Sequence, residues 1–394
     1  MAVAKFPVTI ETLVERARAI GPELQAAAAE ADELRRLPDR SVAALRDAGL
    51  FRVFQPARFG GFELEYGLTQ IELANAIGPA SGSAAWVQSV IACHAWVVGM
   101  YPKAAQDAVW SEDPNLLVAS AFGPSTGRGK PVDGGYWLEG EWEFSSGVHA
   151  CDWIILNAPI LSGEGRPPRL LFCLLPREDY DILDTWRSTG LRATGSHHVS
   201  VKGAFIPTEF TLDTGLAEGQ RAPGAAVNNS YLYRLPLWTA FPFNIAAPAI
   251  GIARGAIAAW VEATKARPER AGMPTRQMRL AESCAEVDAA EALLKTDAAA
   301  LRNNTVAGEP ISGELRARCG RDLSYAAQLC MRAVDRLMGA VGAHGLRDDS
   351  AIARARADVY AIVNHVGLTW EGSAARYGAT LLGVESTPGG IAKP

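Results

Sequence analysis

Between Asn115 and Asp213 the chain changes its period, and that change constrains the fold more than any single motif. The runs "LLVASAFG", "YWLEGEWEFSSG", "WIILNAPI", "LLFCLLP" and "HHVSVKGAFIP" are short, alternate polar with apolar, and are split by Gly, Pro, Ser and Asp. They predict a β unit of five or more strands, sandwich or barrel. Both flanks read as helix. In "PDRSVAALRDAGLF" Asp39 is the expected N-cap, Val42, Leu45 and Leu50 carry helical spacing, and Gly49 is the expected stop. "GSAAWVQSVIACHAWVVGMY" is apolar nearly all round, so it is expected to be central. From about Trp238 to Gly383 the chain is rich in alanine, with breaks expected at 267–274, 303–313 and 342–350. Four or five long helices there predict an antiparallel bundle. No βαβ alternation occurs, which disfavours a dinucleotide-binding sheet. The expectation is an α+β chain with an N-terminal helical domain (1–114), a middle β-sandwich or barrel (115–214) and a C-terminal helical bundle (215–394).

Bulk properties exclude several classes. With 394 residues, 48% of them hydrophobic, the chain can bury a large core. A net charge of -5 and the lack of a long basic run argue against nucleic acid as a partner. The N-terminal segment lacks a signal-peptide pattern. The most apolar stretch, Ala240 to Ala253, reads as too short for a membrane span and is interrupted by Pro242, Asn244 and Pro248. Six cysteines are scattered at 93, 151, 173, 284, 319 and 330 with no C-x-x-C pair, so no disulfide framework and no metal site is expected. A cytoplasmic protein with free thiols is the expectation.

Several short patterns fail on spacing. "GPSTGRGKP" places Pro124 where a phosphate loop needs its first glycine, and Pro131 follows Lys130. No G-x-S-x-G elbow occurs. His197 and His198 should point to opposite faces of a strand.

Other segments carry a resemblance. "GEWEFSSGVHACDW" is similar to the G-x-K-x-W-I-T-N strand, small-residue turn and A-x-W of the acyl-CoA dehydrogenase superfamily. "DTWRSTGLRATGSHHVSVKGAFIP" resembles its closing strands, and "GAVGAHG" stands where that superfamily has a G-G-x-G turn between bundle helices. The superfamily contains dehydrogenases with a glutamate base and oxygenase components of two-component (group D) flavin-dependent monooxygenases. Trp370-Glu371-Gly372-Ser373 is similar to the dehydrogenases' Y-E-G-T. Yet "RADVYAIVNH" puts His365 six residues earlier, on the opposite face of one continuous helix, where the monooxygenases have a histidine. The oxygenase branch is therefore the better match. An acyl-CoA dehydrogenase with Glu371 as base, or an N- or S-oxygenase of the same fold, are the alternatives.

The resemblance implies a chemistry and a set of residues. Reduced flavin (FADH2 or FMNH2) would react with O2 to give a flavin 4a-hydroperoxide that hydroxylates a phenol- or indole-type small molecule. His365 would supply a proton to the peroxide. Ser146 would meet flavin N5, with Ser145 beside it and Phe144 and Trp142 as apolar wall. Ser120 and Phe122 would meet the pyrimidine edge through main chain. Arg267, Gly339 and Gly342 would hold the phosphate end across a subunit contact in a homotetramer. His94, on the apolar helix, would polarise the substrate, although a lone buried histidine reads equally well as core. "YLYRLPLWTAFPFN" would complete the substrate wall with Tyr231, Trp238 and Phe241, beside Trp96. No nicotinamide-binding motif appears, so a separate NAD(P)H:flavin reductase is implied.

Overall fold

The computed structural model describes residues 8–123, 125–160, 169–347 and 350–384. The chain begins with helices α1 (Ile10–Ala19), α2 (Gly21–Ala26), α3 (Ala28–Leu34), α4 (Asp39–Asp47), α5 (Leu68–Ile77), α6 (Gly82–Gly99) and α7 (Lys103–Trp110). Helix α6 is capped by Ser81, whose hydroxyl accepts from Ala84 N–H, and each of its residues is buried. An apolar helix with no polar face must be surrounded, and this one is.

Strands follow: β1 (Val118–Ala121), β2 (Arg128–Val132), β3 (Gly135–Ser145), β4 (Trp153–Ile160), β5 (Arg169–Pro176), β6 (Asp181–Leu183), β7 (His197–Pro207) and β8 (Thr211–Asp213). Among the described residues they form one sheet in the order β6-β7-β3-β2-β4-β5-β8, with β1 parallel to β4. The β3–β7 ladder is antiparallel and slips twice, between Leu138 and Gly140 and between Trp142 and Ser145. Each slip inserts backbone that has no partner and re-aims the side chains beyond it. The second slip holds Phe144 at φ +66°, a left-handed conformation that is costly for a bulky residue.

The remaining helices are α8 (Thr214–Glu218), α9 (Leu237–Ala240), α10 (Phe243–Lys265), α11 (Pro268–Ala271), α12 (Pro274–Ala307), α13 (Gly313–Met338), α14 (Ala351–Val363) and α15 (Trp370–Leu382). The stretch read as too short to span a membrane is in fact part of a long helix. Leu237–Lys265 is long and apolar enough by length and composition, because Pro248 is absorbed inside α10. Two-thirds of its most apolar window is buried within the fold, which is how a core helix is built. It crosses α5 so closely that a Cβ on Gly251 would overlap the Ala74 carbonyl, and one on Gly78 would press on Gly251. Only glycine lets the two backbones approach this way. Gly251→Val should force them apart at a cost of about 3 kcal/mol, read as a lower urea midpoint.

Candidate active site

A cavity of about 510 Å3 opens where α6, the end of β1, the turn after β3, the start of α10 and the α14–α15 joint converge. Its lining includes His94, Ser120, Phe122, Phe144, Ser146, Trp238, Phe241 and His365. Phe122 stacks on Phe172 with centroids 4.1 Å apart and meets Phe241 edge-on at 5.4 Å, giving the cavity a flat aromatic wall. No carboxylate lines it among the described residues.

His94 is 2% exposed and held at both ring nitrogens. Nδ1 lies 2.8 Å from the Val118 carbonyl, which can only accept, so Nδ1 carries the proton. Nε2 is therefore a lone pair, and the Ser120 hydroxyl at 2.7 Å donates to it. Burial pushes the imidazole down to about 4, against a smaller upward effect from the Val118 carbonyl. His94 is thus neutral at neutral pH, with its basic nitrogen capped by Ser120.

His365 does not stand on a long helix. Helix α14 stops at Val363, Asn364 is its C-cap, and His365 caps a short 3-10 turn, Val366–Leu368, before α15 begins. The helical-face comparison with Glu371 therefore does not apply, because no continuous helix joins the two residues. The structure nonetheless separates them. His365 lines the cavity, whereas Glu371 lies exposed in the first turn of α15 and is not among the lining residues. His365 Nδ1 accepts the Gly367 N–H at 3.0 Å, so Nε2 is the nitrogen that carries the proton. Burial also lowers this imidazole to about 4. Its ring lies 5.7 Å from that of Trp86.

Ser146 follows the β3 slip and lines the cavity. Its Oγ accepts from Trp86 Nε1 at 3.0 Å and lies 2.7 Å from Ser196 Oγ. Ser196 is in turn 2.7 Å from Thr194 Oγ1. Nothing in the sequence reading singled out Thr194 or Ser196. The one available signal was the run of small hydroxyl residues in "RATGSHH", between a turn and a strand.

Residues 243–370 match the family described as "Acyl-CoA dehydrogenase, C-terminal domain". The chain is 35% identical over 381 residues to the "Flavin-dependent monooxygenase, oxygenase subunit HsaA" of Rhodococcus jostii (strain RHA1), covering 95% of this chain and 99% of that protein. The chain belongs to the oxygenase components of flavin-dependent monooxygenases. This oxygenase is also 32% identical, over 95% of its length and 94% of the relative's, to the "FADH(2)-dependent resorcinol hydroxylase, oxygenase component" of Rhizobium sp. (strain MTP-10005). Its fold superposes on the crystal structure of 3-HSA hydroxylase from Rhodococcus sp. RHA1 with a TM-score of 0.91 at 34% identity, covering 95% and 97% of the two chains.

Other expected site residues of the oxygenase lie elsewhere. Trp142 is fully buried, with Nε1 donating to the Asn157 carbonyl at 2.6 Å, and is core instead of cavity wall. Ser145 is likewise fully buried and turned away from the cavity. Plain alternation would have put residues 142, 144 and 146 on one face. The slip between Trp142 and Ser145 breaks that count, so only Phe144 and Ser146 reach the cavity. Trp96 is also core, its Nε1 donating to the Leu232 carbonyl at 2.7 Å. That bond pins the 3-10 turn Tyr231–Arg234 against α6, and Tyr231 lines a separate small pocket with Tyr66 and Gly67. Its hydroxyl accepts from Tyr66 N–H at 3.2 Å. Trp238 and Phe241 are the expected aromatics that line the cavity. Phe122 is there too, but its carbonyl already accepts from Asn157 Nδ2 at 3.2 Å.

Arg267, Gly339 and Gly342 are exposed and do not line the cavity. Arg276 bonds both Thr264 Oγ1 and the Ala340 carbonyl, which gathers their two turns at one end of the bundle. His149 and His197 approach each other with ring centroids 5.1 Å apart. Among the described residues, however, no group of three His, Cys, Asp or Glu could hold a metal. The six cysteines are free.

Proposed function

We propose that the cavity takes reduced flavin together with a flat phenolic or heteroaromatic substrate, which is hydroxylated with oxygen from O2. A separate NAD(P)H:flavin reductase would supply the reduced flavin, in keeping with a family named for oxygenase components. The observation that carries the substrate reading is the Ser120–His94 pair set beside the aromatic wall of Phe122, Trp238 and Phe241. The lining suits the flavin as well: a hydroxyl oxygen at Ser146 beside apolar surface from Phe144 and Ile245, in a volume typical of ligand sites. When bound, reduced flavin supplies the electrons with which dioxygen is activated.

The chain's own residues handle the protons. Ser120 commits its only hydrogen to His94 Nε2, so it can offer the cavity lone pairs alone. A phenol therefore donates its O–H to Ser120 Oγ. As that proton moves to Ser120, the serine's own proton passes to His94 Nε2, while Nδ1–H stays on Val118. The phenolate left behind supplies the opposite charge that burial otherwise denies an imidazolium. Its ring is the more electron-rich for attack on an electrophilic oxygen. His365, with its proton on Nε2, is a donor for oxygen atoms in the cavity. The aromatic wall keeps water out and holds the ring flat.

We further propose that a homotetramer brings Arg267 and the Gly339–Gly342 turn of one subunit to the phosphate end of a neighbour's flavin. The exposure of these residues is compatible with that role.

The reading is tested by supplying reduced flavin and air with a panel of monophenols, indoles and acyl thioesters. Products carrying one added oxygen atom are expected from the aromatics. Dehydrogenation of a thioester, with no oxygen added to any aromatic, would overturn it. Ser120→Ala should weaken binding of a phenol by about tenfold, the loss of one hydrogen bond, and leave the matching methyl ether unaffected. Equilibrium titration of the two ligands measures the difference.

A further inference from the structure

The hydroxyls beside Ser146 form a chain along the cavity wall whose ends cannot both donate and accept. At the far end Thr194 Oγ1 donates to the Leu191 carbonyl at 2.9 Å. A carbonyl has no hydrogen to return, so the threonine's single proton is committed. Ser196 must then donate to Thr194 across 2.7 Å. Ser146 must in turn donate to Ser196, also across 2.7 Å. At the near end the Trp86 indole can only donate, and it occupies one lone pair of Ser146 Oγ at 3.0 Å. The terminus is itself fixed. Leu191 N–H donates to buried Asp358 at 2.6 Å, and the Leu191 carbonyl also accepts from Thr194 N–H at 3.1 Å and from Trp186 Nε1 at 3.2 Å. Thr194 and Ser196 are 1% and 4% exposed, so water does not readily replace a link.

Ser196, Thr194 and Leu191 line the same cavity wall as Ser146, and every proton in this chain is committed to the next link along it. Ser146 keeps one lone pair and no hydrogen for whatever lies in front of it. Resting on the flavin reading above, in which Ser146 meets N5, the geometry points to a redox-state filter. Thr194 and Ser196 are positioning residues that fix Ser146 as an acceptor, so the site selects the reduced flavin, whose N5 bears a hydrogen, over the oxidised one, whose N5 is a lone pair. Two facing acceptors lose a hydrogen bond and repel, whereas an N–H facing an acceptor gains one.

The filter predicts what happens when a link is cut. In Thr194→Val or Ser196→Ala the proton of Ser146 is no longer required inside the chain and can turn toward the cavity. Dissociation constants are measured for FMN and for FAD, each oxidised by fluorescence and each reduced under anaerobic titration. The ratio of oxidised to reduced constants should fall about tenfold in both variants, equivalent to lowering the two-electron potential of the bound flavin by about 30 mV. Thr194→Ser, which restores the hydroxyl, should keep the wild-type ratio. A merely structural role would weaken both redox forms alike and leave the ratio still. Wild-type ratios in Thr194→Val and Ser196→Ala proteins that still bind flavin would overturn the filter and leave the flavin reading intact. Failure of the wild-type protein to bind either form of either flavin would overturn both.

Discussion

His365→Ala lowers product formation by about 10²- to 10⁴-fold, the range for removing a positioned proton donor, while binding of phenol and flavin changes little. The expectation comes from one hydrogen bond. Because Gly367 N–H occupies Nδ1, the ring is held with its proton on Nε2, and burial keeps the imidazole neutral in the ordinary pH range. Alanine deletes the donor without touching Ser120, His94 or the chain beside Ser146. Single-turnover assays with pre-reduced flavin separate the effects: substrate oxygenation should collapse while electrons are still consumed. If product per flavin oxidised equals that of wild type, His365 is only a wall.

His94→Gln is the second large effect. Glutamine can hydrogen-bond Val118 and Ser120 but cannot take a proton at the position of Nε2, so turnover of phenols should fall about 10²-fold. A substrate that has no proton to give up should lose much less. The same variant has a pH signature. The imidazole titrates near 6.5 in an unfolded chain and at about 4 in this fold. Between those values the unfolded state binds more protons, so acid favours unfolding. Stability contributed by neutral His94 is complete above pH 6.5 and is lost as the pH falls toward 4. For a side chain this buried the loss between pH 7 and 5 is about 2 kcal/mol. Urea midpoints at the two pH values should therefore differ less in His94→Gln than in wild type. Equal differences would show that the fold leaves the imidazole titrating where it does in an unfolded chain.

The order of helices, strands and helices was legible because hydrophobic period and glycine placement are local signals, and β1 to β8 fall between Val118 and Asp213. His94, Ser146 and His365 were legible only with the help of a resemblance, since a lone histidine or a Ser-Ser-Gly turn has no spacing of its own. The reason given for choosing His365 over Glu371 assumed one uninterrupted helix. "NHVGLTW" contains Gly367 and Thr369, and the chain uses them to break and restart. What stayed hidden depends on contacts between distant segments. Ser120 meets His94 only because β1 lies against α6, and Ser196 meets Ser146 only once β7 pairs with β3. Of the aromatics expected at the substrate wall, Tyr231 and Trp96 are instead committed to hydrogen bonds that fix α6 and its neighbouring turn.

The irregularity before Ser146 ties chemistry to arithmetic. Two serines stand side by side, and which of them reaches the cavity is decided by how many residues precede them on β3. Deleting one residue between Trp142 and Ser145 would relieve the left-handed turn at Phe144 and make a more regular ribbon. It would also exchange the positions of the neighbours, sending the cavity-facing hydroxyl of Ser146 inward, severed from Trp86 and Ser196. A protein better folded by the standards of a ribbon would be a poorer oxygenase, so drift in this segment can trade one residue type for another far more freely than it can change the count.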